Sequence, residues 1–180
     1  WLAHSVKKDH PTAEEVYALL THHLIVFAGD QKRQNEPSLQ AVYANLGQVY
    51  SLLKKEALSE GFLQCAVNLD EKSTMGKWAK EALGEERTKL NASEVDLLIK
   101  KKFNVYTVAD VVLASPLEFS ITQKEALHLQ KSGTHPVIID ALLTSSRGKV
   151  RDLKDIREDW RKKDSVLIEA AGKLSYADRK

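Results

Sequence analysis

The chain has 180 residues, 43% of them apolar and 29% charged, with a net charge of +2. That is enough chain for one domain with a real core or two small ones, and the composition excludes a disordered or fibrous protein. A single cysteine, Cys65, rules out an intrachain disulfide and a thiolate metal cluster. No apolar run approaches the roughly 20 residues that a membrane-spanning helix needs.

In chain order the elements read as helices. His10-Pro11-Thr12 is a turn; Thr12 is an N-cap, and Glu15 three residues on completes a capping box. The helix that follows is expected to bury Val16, Leu19, Leu20, Leu24 and Phe27, and to stop at Gly29. After a polar loop, Pro37 or Ser38 opens a second helix, expected to run to about Glu60 with Gly61 as its interruption. A short apolar helix over 62–69, a link over 70–77 and a short helix over 78–83 come next. Asn91 or Ser93 caps a helix over 91–103, with Glu94 in its first turn. Residues 105–114 are β-branched enough for a strand, but Val108, Val111 and Val112 set around Asp110 favour a helix after Thr107. Pro116 starts a new element. A helix over 122–133 stops at Gly133, and an apolar one is opened by Pro136. A long helix of alternating charge closes the chain, bent or broken near Asp164. The fold class expected is all-α: one compact domain of seven to nine helices, with its core over 12–163 and residues 164–180 peripheral.

Several chemistries are weighed and set aside. Residues 46–70 resemble one tetratricopeptide unit, but no second copy follows at the period of roughly 34 residues that a solenoid needs. Residues 91–119 resemble the small helical DNA-binding domains of recombinases, yet the hairpin glycine that would expose backbone amides to phosphate is absent. His22 and His23 point about 100° apart on a helix. No His-Glu-x-x-His, Walker loop, dinucleotide fingerprint or Gly-x-Ser-x-Gly elbow occurs. No metal and no cofactor is expected.

One comparison holds over most of the chain. Residues 16–23, "VYALLTHH", resemble the helix that opens a ribonuclease III domain. Residues 43–58, "YANLGQVYSLLKKEAL", resemble that family's signature helix, where leucine-glycine precedes a long apolar stretch. Residues 135–150, "HPVIIDALLTSSRGKV", resemble the later helix that carries an aspartate before the last acidic ligand. The patches come in the family's order and span roughly 16–163. The resemblance implies that Gly47 lets two helices cross tightly beside the active centre, and whether 41–58 and 136–146 cross there is its structural test. It also implies four metal-binding carboxylates, of which one survives. Ala44, Gln48 and Leu143 stand at three of the positions and Asp140 at the fourth. A lone carboxylate does not hold a pair of Mg²⁺ ions against phosphate charge, so no enzymatic activity is expected.

Degenerate domains of this kind resemble those of the mitochondrial large ribosomal subunit. That implies a non-catalytic subunit of a ribonucleoprotein particle in the mitochondrion, with structured RNA and neighbouring proteins as partners and no membrane or small-molecule substrate. The charge distribution places the RNA contacts. From Arg147 to Lys180 there are 11 Lys or Arg against 7 Asp or Glu, while the remainder is mildly acidic. Arg147, Lys149, Arg151, Lys154, Arg157, Arg161, Lys162 and Lys163 are the candidate RNA-facing charges. Val150, Leu153, Ile156 and Trp160 form the stripe that would pack on the domain. The interleaved acids at 152, 155, 158 and 159 also fit a solvated face of i,i+4 pairs. Two other classes stay open: an all-helical protein-interaction module, and a DNA-binding helical adaptor.

Overall fold

The computed structural model describes residues 12–22, 36–147 and 162. Eight α-helices lie within them, with no strand among the described residues beyond one isolated bridge. None of these helices is long and apolar enough to cross a membrane. The chain divides into two units, Trp1–Lys149 and Val150–Lys180, and all eight helices belong to the first.

Helix α1, Ala13–His22, begins as its sequence dictates. The Glu15 amide donates to the Thr12 hydroxyl and the Thr12 amide to the Glu15 carboxylate, so two orphan donors are satisfied at once. Its buried face is a correction. Glu14, Tyr17, Ala18 and Thr21 face inward, whereas Leu19 is 59% exposed. That face has helical spacing too, and its acid is tolerated because Lys101 Nζ lies 3.0 Å from Glu14 Oε2. The expected continuation through Phe27 to Gly29 lies outside the described residues.

The second helix is not continuous to Glu60. Helix α2, Glu36–Leu52, stops at a corner where Lys54 takes a φ of 55°. The Lys55 amide donates to the Tyr50 carbonyl at 2.9 Å and the Lys54 amide to Ser51 at 3.0 Å, the paired bonds of a Schellman ending. Helix α3, Glu56–Leu69, then holds Gly61 inside it rather than at a break. The expected link over 70–77 is shorter than read. Ser73 accepts from the Gly76 amide and starts α4, Thr74–Ala82. Buried Gln40 ties this junction together. Its amide nitrogen donates to the carbonyls of Ala66 and Asp70 at the open end of α3, and its oxygen accepts from the Ser73 hydroxyl.

Arg87 pins the loop after α4 to α3, donating to Gln64 Oε1 at 2.7 Å and to the Glu60 carbonyl at 3.2 Å. Leu90 then bridges Leu117, so the segment after Pro116 is extended rather than helical. Asn91 caps α5, Ala92–Lys100, in a full capping box with Glu94. Asn104 caps α6, Val105–Ala114, which therefore starts two residues before the expected Thr107. Thr122 and Glu125 box the start of α7, Gln123–Lys131; His135 caps α8, Pro136–Ser146.

Helix α3 is the axis of the domain. It packs against α2, α4 and α6; α6 in turn receives α5 and α8, while α1 lies on α2 and α7 on α8. The fully buried side chains include Tyr43, Leu46, Tyr50, Leu58, Phe62, Leu98, Val108 and Val111. Phe62 is the aromatic centre, stacked on Tyr50 at 5.5 Å and tilted against Tyr43 and Phe103.

Candidate functional site

Gly47 is buried where α2 meets α3. A Cβ there would lie 2.6 Å from Leu63 Cγ and 3.2 Å from the Ser59 carbonyl. The Ser59 hydroxyl donates to the Gly47 carbonyl at 2.8 Å, so the close approach carries a hydrogen bond as well as packing. On α3 itself, Gly61 does the same toward α6, with Ser115 Oγ and Val111 Cγ1 at 2.6 and 3.0 Å from a Cβ. The glycine in the middle of α2 therefore serves a helix crossing, but its partner is α3. Helix α8 packs chiefly on α6 and α7.

The positions where the resemblance implies acids fall as follows. Ala44 is buried in the core and Gln48 faces solvent, while Asp140 and Leu143 on α8 are half-buried. Of the other acids near the middle of the chain, Glu94 accepts from the Asn91 amide within its capping box. Asp110 is 1% exposed and accepts a 2.6 Å hydrogen bond from the Tyr43 hydroxyl, which joins α6 to α2. No group of three His, Cys, Asp or Glu able to hold a metal ion occurs among the described residues.

The chain matches no protein family, no curated protein and no solved structure. The resemblance to ribonuclease III rests on its three patches of sequence.

Of the candidate RNA-facing residues, Arg147 is exposed and closes α8, with its amide bonded to the Thr144 carbonyl. Lys162 is helical and exposed. Lys149, Arg151, Lys154, Arg157, Arg161 and Lys163 lie outside the described residues, as do the apolar stripe and the expected bend near Asp164. Three histidines lie among the described residues. His22 ends α1 and His128 is exposed on α7, while the His135 ring accepts the Val137 amide at Nδ1. Partial burial holds the His135 pKa below the ordinary histidine value.

Sequence reasoning missed a second basic region. Lysines 54 and 55 end α2, and lysines 100 to 102 end α5; Lys102, like Lys54, has a left-handed backbone, at φ 59°. Buried Glu14 meets the second of these ends. Its carboxylate pairs with Lys101 at 3.0 Å, while the buried Tyr50 hydroxyl makes no hydrogen bond among the described residues. Burial, then the Glu14 charge, push the Tyr50 pKa upward. A signal was present in the sequence, since Leu-Leu-Lys-Lys at 52–55 and Leu-Ile-Lys-Lys-Lys at 98–102 are alike.

Proposed function

We propose that this chain is a non-catalytic, structural subunit of a ribonucleoprotein particle, binding RNA and neighbouring proteins. The particle suggested by the resemblance is the mitochondrial large ribosomal subunit. The observation that carries the reading is the Gly47 crossing. A glycine is kept for close packing in α2, while the flanking signature positions are a buried alanine and an exposed glutamine. Neither side chain can hold a cation or activate water. Glu94 and Asp110, the other acids considered for a cleft, have structural partners. What remains is a helical platform whose charge is available for phosphate.

The test is direct. Purified protein is incubated with structured, partly duplex RNA and Mg²⁺ or Mn²⁺. The expected result is salt-sensitive binding without cleavage. Cleavage that disappears on Asp140→Asn would overturn the non-catalytic reading. Absence of any RNA binding would favour the protein-interaction module, which the exposed apolar side chains of Leu19 on α1 and Leu127 on α7 would serve.

A further inference from the structure

We infer that the solvent face of α7, with Lys124, His128 and Lys131, continued by Arg147 at the adjoining end of α8, contacts the phosphates of an RNA backbone; the inference deepens the ribonucleoprotein reading above and rests on it. Positions 124, 127, 128 and 131 are spaced i, i+3, i+4 and i+7, so they line one face of the helix. All four residues are exposed, and Ala126 is the buried residue of α7. Lys124 and Lys131 stand two turns apart, roughly 10 Å along the axis. No acid lies on this face. The carboxylate of α7, that of Glu125, is turned back to the helix start, where it accepts from the Thr122 amide at 2.7 Å and the Thr122 hydroxyl at 2.8 Å.

The helix by itself gives no reason for Lys124. This lysine lies in the first turn, where the dipole disfavours a cation. Lys131, in the last turn, suits the dipole. Neither makes an ion pair among the described residues, whereas Lys80 is paired with Glu71, Lys100 with Asp96 and Lys101 with Glu14.

Tertiary structure extends the face at its Lys124 end. Helix α8 returns along α7 after the turn at Gly133. The amide of Ile121, just before the α7 cap, donates to the Ser146 hydroxyl at 3.0 Å. Arg147 follows Ser146 and is exposed. It closes α8 through its backbone amide, so its guanidinium is not used by the cap. The start of α7 and Arg147 therefore occupy one end of the helix pair, and Lys131 marks the other end of the α7 face.

An RNA backbone fits this surface better than a protein partner. Protein interfaces are depleted in lysine at their centres and are built around apolar and aromatic anchors. Leu127 is the apolar side chain here, set among Lys124, His128 and Lys131. Ammonium groups held at a fixed spacing suit successive phosphates, and a guanidinium adds bidentate contact.

The test titrates the full chain against a fluorescent structured RNA hairpin over about 50–200 mM salt. Lys124→Gln/Lys131→Gln removes both lysine charges, and since lysine and glutamine are near-equal helix formers it should melt as the wild type does. It should bind about tenfold more weakly and lower the magnitude of the salt slope by about 2, roughly one per lysine. Adding Arg147→Gln should lower the slope by about one more. Lys124→Arg/Lys131→Arg should keep affinity and slope. Lys77→Gln/Lys80→Gln makes the same charge change on α4 and should also leave both unchanged. A folded Lys124→Gln/Lys131→Gln variant with wild-type affinity and slope, or an equal loss in the α4 variant, overturns this face and leaves the RNA reading standing. No binding by the wild type overturns both.

Discussion

Tyr43 and Asp110 are 67 residues apart in sequence and meet through one hydrogen bond in the core. A buried carboxyl group keeps acceptor oxygens in either protonation state, so deleting the tyrosine hydroxyl removes a donor that water does not replace. Tyr43→Phe is expected to destabilise the domain by about 0.5–1.5 kcal/mol in chemical denaturation, the range for one intramolecular hydrogen bond. Gly47 is the second single-atom dependency. Gly47→Leu should cost roughly 1–3 kcal/mol by overpacking against Leu63, and Leu63→Ala in the same chain should recover part of that loss. An unchanged denaturation midpoint in Gly47→Leu would show that α2 and α3 do not approach as closely as the structure has them. The need for a close approach was legible in the sequence, because a mid-helix glycine costs about 1 kcal/mol without compensation. Its partner was not, because both α3 and α8 offer apolar faces.

At the scale of elements, helix starts and helix ends differ in how openly they are written. Thr12, Ser73, Asn91, Asn104 and Thr122 cap their helices with short side chains that reach a backbone amide within three residues. Such bonds are local, so most of these starts could be read directly. The ends of α2 and α5 could not, because lysine is not a stop signal and takes the left-handed conformation only where packing demands it. His135 gives an element-level prediction. As the cap of α8 it must be neutral at Nδ1 to accept the Val137 amide. Its folded pKa lies below that of the unfolded chain, so the folded state binds the proton less readily. The cap's contribution is therefore fully present above the ordinary histidine range and is lost as pH falls through the lowered pKa. His135→Asn keeps a capping side chain and removes the titration. Thermal melts should match at pH 7.5, whereas between pH 7.5 and 5 the wild type should lose a few tenths to about 1 kcal/mol more than the variant, the lower part of the N-cap range. Parallel pH curves would remove His135 from the capping role.

The first unit is organised by α3, held between α2 and α6 at two glycine contacts and tied to the α4 junction by Gln40. All of these contacts lie before residue 150, within the first unit. A chain ending at Lys149 is accordingly expected to melt in one cooperative transition with its helical signal retained; a broad or absent transition in circular dichroism would show that residues 150–180 complete its core. By itself the sequence determined the helical class, most helix starts and the need for a tight crossing at Gly47. Capping and 3.6-residue periodicity act between near neighbours, so they are written locally. Only the tertiary structure decided which face of α1 turned inward, that α2 stops before a corner at Lys54, and that the helix crossing at Gly47 is made with α3. Each of those outcomes depends on contacts between residues far apart in the chain, where several apolar faces compete and total burial selects among them.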